Sequence, residues 1–281
     1  MTSVWLLARL TLVEALRRRI ATAALCVGAA FLLVFGIGLH FIHRDIQAHA
    51  QVHGPTAAIQ AAALVVVVMA GLYAATFLAM MAAVVFALDT LAGEIGSGVI
   101  ETLCTKPVRR SSIFLGKWLG CVGLVSGFTL LLLGGVLLIG RAIGGVTPPH
   151  VLQPLALILL EGVLLMTVAL ACGTRMSPLA SGMVVFGLYG VAFVGGWVEQ
   201  IGTMAGNASA RLVGIVASLV MPSDALWRLA SYLLQPPLVR DAGITPFTVA
   251  SVPSNAMVLW AVGYILVMLT VAMRLLARRD L

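Results

Sequence analysis

Residues 62–88 read AALVVVVMAGLYAATFLAMMAAVVFAL and contain no charged side chain. A helix needs about 20 consecutive apolar residues to cross the hydrocarbon core of a bilayer. Backbone groups inside lipid must find their hydrogen-bond partners within the protein itself, and a helix provides them. This stretch therefore predicts a membrane-spanning helix.

Five other stretches have the same apolar character and suitable lengths. The six predicted spans are residues 20–42, 62–88, 113–140, 151–172, 179–198 and 256–276. The sequence thus predicts an all-α polytopic membrane protein, in which residues 1–281 form a single transmembrane domain.

The composition of the whole chain agrees with this prediction. Hydrophobic residues make up 61% and charged residues only 10%, with a mean hydropathy of +1.11, whereas a soluble domain has about 25% charged residues. The net charge of +7 comes from basic residues at the ends of apolar segments. No polar domain carries a nucleic-acid-binding patch, so nucleic acid is not expected as a partner. The four cysteines show no metal-ligand spacing and predict no disulfide framework.

The basic residues also predict the orientation of the spans. Cytoplasmic segments of membrane proteins carry an excess of lysine and arginine. Six spans place 12 of the 17 basic residues on one side of the membrane, together with both termini. They are Arg9, Arg17, Arg18, Arg19, Lys106, Arg109, Arg110, Lys117, Arg175, Arg274, Arg278 and Arg279. We therefore expect both termini to be cytoplasmic.

The first 19 residues have an amphipathic pattern. On a helix, the charged residues Arg9, Glu14, Arg17 and Arg18 lie toward one side. The apolar side is formed by Trp5, Leu6, Leu12, Val13 and Leu16. This pattern predicts either a helix lying in the cytoplasmic interface or an extension of the first span whose arginines mark the membrane edge.

The long segment 199–255 lies on the outer side in this topology. Its apolar stretch at residues 212–220 is followed by MPSDALWRLASYLL, in which Pro222 interrupts a continuous helix. We expect short interfacial helices there, with Trp227 and Tyr232 as anchors. A seventh span is the alternative, which is disfavoured because it would place the C-terminal arginines outside.

Motifs for nucleotide binding and hydrolysis are absent from the sequence. A P-loop ends in Gly-Lys followed by Ser or Thr, but Gly116-Lys117 is followed by Trp118. Neither the HExxH motif of zinc proteases nor the GxSxG motif of serine hydrolases occurs. We therefore expect no cofactor on this chain and no enzymatic activity of its own.

The connection between the second and third spans, residues 89–112, is the most informative loop. With its flanks it reads LDTLAGEIGSGVIETLCTKPVRRSSIFLGKWLG over residues 88–120, which is too apolar for a fully solvated loop. One interpretation is a short helix that docks into a partner's groove, with Glu94 and Glu101 pairing with cations of the partner. The other is a tight interfacial turn whose basic residues contact lipid phosphates.

This connection resembles the signature of the ABC type-2 permease family, the membrane subunits of ABC transporters. The matching residues are Glu94, Gly98, Leu103, Pro107, Arg110, Gly116 and Lys117. Val99 departs from the pattern, since members usually have Thr at this place. The amphipathic N-terminus, the PSDALWR stretch and the C-terminal Arg-Arg-Asp-Leu are also similar to the family.

The resemblance implies an exporter subunit of the bacterial inner membrane. Two copies of the permease, or two related permeases, would pair with two ABC ATP-binding subunits, which bind ATP and Mg²⁺. The loop between spans two and three would act as the coupling helix, and the coupling residues implied are Glu94, Gly98, Glu101, Leu103, Pro107, Arg110 and Lys117. The alternatives are a stand-alone secondary transporter and a non-transporting assembly or sensor subunit.

Glu161 lies near the middle of the fourth predicted span, where an ionisable residue is costly. We expect it to face the helix bundle or a dimer interface. It is either part of the transport pathway or a protonated carboxyl that hydrogen-bonds to a neighbouring helix.

Four histidines, His40, His43, His49 and His53, fall within 14 residues at the outer end of the first span. If the helix continues, His40 and His43 share one face, and so do His49 and His53. Such pairs are candidate zinc or copper ligands. Because no cysteine or nearby glutamate accompanies them, a polar interfacial loop is the favoured interpretation.

Overall fold

The computed structural model describes residues 2–53, 57–93, 110–145, 148, 150–235 and 249–278. This part of the chain contains nine α-helices and one π-helical turn. They are α1 (Thr2–Arg17), α2 (Arg19–His53), α3 (Ala57–Ala87), the π-helical turn (Leu88–Ala92), α4 (Arg110–Gly144), α5 (Leu152–Gly173), α6 (Pro178–Met204), α7 (Ala208–Val220), α8 (Ser223–Leu234) and α9 (Asn255–Ala277). No strand occurs in the described residues, so the all-α prediction is confirmed.

Six of these helices, α2 to α6 and α9, are long and apolar enough to cross a membrane. The six predicted spans are therefore confirmed, and the chain is a multi-pass membrane protein. Many large apolar side chains on the outside of the bundle, such as Leu33 and Leu266, are exposed, as lipid-facing residues are. The first span differs most from its prediction, because α2 continues as a helix beyond residue 42 to His53.

Contacts between the spans fix their relative directions. Gly140 of α4 faces Val68 of α3, while the ring of Phe128 packs on that of Phe86 with centroids 5.8 Å apart. Later residues of α4 thus meet earlier residues of α3, so the two helices are antiparallel. The alternation brings the π-helical turn and the starts of α4 and α6 to one end of the bundle. We call this the basic end, after its residues Arg17, Arg18, Arg19, Arg175 and Arg274.

The amphipathic helix α1 packs along the first turns of α4 through small residues. A Cβ at Gly116 would lie 2.5 Å from Leu7 Cβ, and one at Gly120 would lie 2.7 Å from Thr11 Cβ. Glycine at both positions therefore allows the close approach. A bend at Arg18 separates α1 from α2, so α1 is a helix of its own, and Trp5 is among its exposed side chains.

After α6 the chain turns back as an antiparallel helical hairpin. Gly202 of α6 faces Ala210 of α7, and Gly195 faces Ala217 further along the pair. Between them, a Cβ at Gly214 would lie 2.6 Å from the carbonyl oxygen of Gly195. These glycines allow α7 to pack directly on the backbone of α6.

The chain bends by 106° between α7 and α8, so this pair does not form a straight seventh span. Helix α8 differs from the expected interfacial helix, because nine of its 12 residues are buried. Trp227 packs its ring against that of Tyr73 on α3, with centroids 5.2 Å apart. The physical reason is that the charged residues of α8, Asp224 and Arg228, find partners inside the bundle rather than in water.

Candidate functional site

Three charged side chains form a buried cluster where α6 and α8 meet. Arg228 donates a hydrogen bond from Nη2 to Glu199 Oε2 at 2.8 Å, and its Nε lies 2.8 Å from Asp224 Oδ2, one turn earlier on α8. The side chains of Arg228, Glu199 and Asp224 are only 3%, 7% and 8% exposed. The protein tolerates these buried charges because each has an opposite charge beside it.

Neutral groups complete the contacts of the cluster. Arg228 also donates to Ser218 Oγ on α7 at 3.2 Å and to the backbone carbonyl of Ser251 at 3.3 Å. The Ser251 hydroxyl donates to Glu199 Oε1 at 2.6 Å. The cluster therefore connects four segments: α6, α7, α8 and the residues that lead into α9.

The backbone of α6 makes room for the cluster at Gly196. The Asp224 carboxylate occupies the space that a Cβ at this position would need. Asp224 and Arg228 are four residues apart, so both side chains project from the same face of α8 toward α6. The glycine and the spacing together place the two charges against Glu199.

Glu161 of α5 lies beside this cluster, on the wall of a small cavity. It is 1% exposed, and its Oε2 has no hydrogen-bond partner among the described residues. The cavity volume is about 10 Å³, which is room for about one water molecule. The other lining residues are Tyr73, Thr76, Phe77, Tyr189, Phe193, Asp224 and Trp227. Glu161 thus faces the interior of the bundle, one of its two predicted orientations.

The site brings three carboxyl groups close to one guanidinium. Glu199 and Asp224 flank Arg228, while Glu161 shares the cavity wall with Asp224. Ionisable residues inside a membrane bundle typically mark transport paths or proton relays, and ion pairs between helices can act as switches. Separation of α6 from α8 would break the Glu199–Arg228 pair, so the cluster ties these two helices together.

Replacing Glu161 with leucine is expected to stabilise the folded chain by about 1–3 kcal/mol, because it removes a buried polar group that lacks a hydrogen-bond partner. The matched variant Glu199→Leu is expected to destabilise, since it takes a counter-charge from Arg228. Thermal unfolding in detergent compares the two. If the midpoint of thermal unfolding of Glu161→Leu is at or below that of the wild type, the carboxyl of Glu161 is not a group that lacks a hydrogen-bond partner.

The predicted coupling element departs from the basic end of the bundle. Residues 94–109 lie outside the described residues, so the coupling roles predicted there stay predictions. Those residues are Glu94, Gly98, Glu101, Leu103 and Pro107. Arg110 begins α4, and its side chain also lies outside the described residues. Lys117, one helical turn beyond Ile113, is 5% exposed and lies inside the bundle.

One arginine connects the start of this element to the N-terminal helix. Arg18 Nη1 donates to the Asp89 carboxylate and to the Asp89 backbone carbonyl, both at 3.0 Å. Its Nη2 donates to Glu14 Oε1 on α1 at 2.7 Å. Arg18 thus links α1, the bend before α2 and the π-helical turn that precedes residue 94.

The outer histidines lie on a helix rather than in the favoured loop, because α2 extends through His53. His43 Nε2 lies 2.9 Å from Gln47 Nε2, and His40 is exposed. The side chains of His49 and His53 lie outside the described residues. No group of three or more potential metal ligands occurs in the part of the chain that the structure describes, and metal binding by these histidines stays the untested alternative.

Sequence reasoning did not single out the charged cluster. Glu199 is the first residue after the fifth predicted span, and Asp224 and Arg228 stand in a segment expected to lie in the interface. The available signal is the i, i+4 spacing of two opposite charges within an otherwise apolar helix. Their partners come from residues 10 to 29 positions away, which only the folded chain brings together.

Neither a protein-family model nor a curated protein matches this chain.

Proposed function

We propose that this chain is the membrane-spanning permease subunit of an ATP-driven transporter, an exporter of the ABC type-2 family in the bacterial inner membrane. The observation that carries the proposal is the connection at residues 88–120, in which the spacing of Glu94, Gly98, Pro107 and Gly116-Lys117 is similar to the family signature. A separate subunit hydrolyses ATP, because this chain has no P-loop.

The geometry at the basic end supports this role. The coupling segment leaves the π-helical turn and returns at Arg110, so it is attached directly to two spans, α3 and α4. Arg18 adds α1 to the same attachment point through Asp89. A force on the segment would therefore act on three helices at once.

Continuous helices connect this end with the buried cluster. α3 runs unbroken from Ala57 to Ala87 and carries Tyr73, whose ring packs on Trp227 of α8. On the next helix, α4, Trp118 donates a hydrogen bond to Thr167 of α5 at 2.8 Å, and this bond links α4 to α5. In the proposed cycle, tilting of α3 and α4 separates α8 from α6 and opens the bundle at the end opposite to the basic end.

Variants of the coupling segment test the proposal in the complex isolated from the host membrane. Glu94→Ala and Glu101→Ala are expected to lower ATP hydrolysis at least several-fold, because the ATPase subunits lose contacts that seat the segment. Asp45→Asn, at the far end of α2, is the matched control and should leave hydrolysis unchanged. Equal activities in all three variants would contradict the coupling role.

Arg18→Ala in the same assay tests the structural link to α1. The Arg18–Asp89 pair is partly exposed, so stability should change by no more than about 1 kcal/mol. Hydrolysis should nevertheless fall relative to Arg9→Ala, which removes an exposed arginine of α1. Loss of folding in Arg18→Ala, rather than loss of coupling, would count against this link.

A gradient-driven transporter that works alone is the second candidate. The observation that favours it is the buried group of Glu161, Glu199, Asp224 and Arg228, since ion-coupled transporters use ionisable residues inside the membrane. It ranks second because the cavity beside these residues holds no more than about one water molecule. Uptake by liposomes that contain only this chain and an ion gradient would favour it over the ABC proposal.

A further inference from the structure

An apolar groove lies at the bend between α1 and α2, where both helices pass α4. Its volume is about 260 Å³, far larger than the cavity at Glu161. The side chains that line it include Leu16, Leu25, Phe86, Phe128 and Leu131. Its floor on α4 is formed partly by Gly123 and Gly127, both exposed.

The groove runs along the axis of α4. It extends along α4 from Gly123 to Leu131, a distance of about 12 Å at 1.5 Å per residue. A Cβ at Gly127 would meet no atom within 4 Å, so the groove is open along this helix. Lipid tails are as apolar as the groove, so the hydrophobic effect gives no preference for one lipid over another there.

A preference has to come from the charges at the bend beside the groove. Leu16 is followed by Arg17, and Arg19 lies two residues before Ala21, another lining residue. Arg18 is occupied by Glu14 and Asp89. Arg17 and Arg19 are exposed and have no acidic partner among the described residues, so two uncompensated positive charges lie at the bend, between the lining residues Leu16 and Ala21 in the chain.

We propose that the groove binds one acyl chain of an anionic phospholipid whose phosphate contacts Arg17 and Arg19. Basic pockets between helices at one membrane face are suited to anionic headgroups. The bound lipid fills the space beneath the bend and holds α1 against α4. This site is separate from the cluster at Arg228 and does not depend on the proposed transport function.

The test is native mass spectrometry of the full chain, extracted in mild detergent and mixed with equal amounts of phosphatidylglycerol and phosphatidylcholine. Two arginine contacts predict a preference of roughly 30-fold for phosphatidylglycerol. Arg17→Gln combined with Arg19→Gln should abolish the preference, whereas Arg175→Gln, an exposed arginine at the same end, should retain it.

A second variant blocks the groove itself. Gly127→Leu should fill the open space and reduce the binding of both lipids at least several-fold. Gly134→Leu is the matched control, since a Cβ there also meets no atom within 4 Å but the residue does not line the groove. Equal lipid binding by the two glycine variants, or no preference in the wild type, would overturn the proposal. A further outcome also counts against the proposal. If Gly127→Leu no longer forms dimers but still binds lipid, the groove is occupied by a second copy of the chain.

Discussion

Arg228→Ala is expected to lower the free energy of unfolding by about 3–5 kcal/mol, since it leaves the carboxylates of Glu199 and Asp224 buried without their counter-charge. The loss exceeds that of an ordinary surface arginine because the side chain is 3% exposed and contacts two other helices, α6 and α7. Chemical or thermal unfolding in detergent measures the change.

Arg211→Ala is the matched control for this prediction. Arg211 lies on the exposed face of α7, so its removal should change the free energy of unfolding by no more than about 0.5 kcal/mol. Adding Glu199→Gln to Arg228→Ala should recover part of the loss, because one uncompensated charge is then removed. Equal stabilities of Arg228→Ala and Arg211→Ala would show that the cluster does not hold α6 and α8 together.

Gly214→Ala is expected to destabilise the chain by about 1–3 kcal/mol, the usual cost of overpacking. The new Cβ would lie 2.6 Å from the Gly195 carbonyl oxygen and 2.8 Å from Glu199 Cα. Both are backbone atoms that move only if α7 shifts away from α6. Such a shift also pulls Ser218 away from Arg228, so the damage extends to the charged cluster.

The control for Gly214→Ala is a second glycine-to-alanine variant that is expected to stabilise the chain rather than destabilise it. A Cβ at Gly187 on α6 would meet no atom within 4 Å, so Gly187→Ala restricts the unfolded chain without a clash. It should stabilise by about 0.4–1 kcal/mol. If both alanine variants shift the unfolding midpoint in the same direction, the close packing of α6 on α7 is not the reason why position 214 requires glycine.

The apolar runs were sufficient to predict the spans, because a helix that contacts lipid along its length must itself be apolar over that length. The run at 62–88 and the helix α3 with its π-helical turn differ by only a few residues. The polar residues 43–53 misled the prediction of the first span, since polarity marks the membrane boundary but does not end a helix. Breakers such as proline do end helices, and none occurs between residues 20 and 54.

The site was harder to predict than the spans because its contacts are non-local. Glu161 could be identified alone, since a carboxyl in an apolar helix is conspicuous. Its neighbours Asp224 and Arg228 belong to a short helix that the hydrophobic pattern placed at the surface. Their burial depends on Gly196, Gly214 and the 106° bend, which bring α8 against α6.

The proposed role of this chain is that of the membrane subunit of an ATP-driven transporter. The most direct test is to isolate the chain from its host membrane in mild detergent, identify the proteins that accompany it by mass spectrometry and assay the preparation for ATP hydrolysis. The proposal predicts a P-loop ATPase in equal amount and hydrolysis that falls in the Glu94→Ala and Glu101→Ala preparations. A chain that is isolated alone, without ATPase subunit or ATP hydrolysis, would contradict the claim.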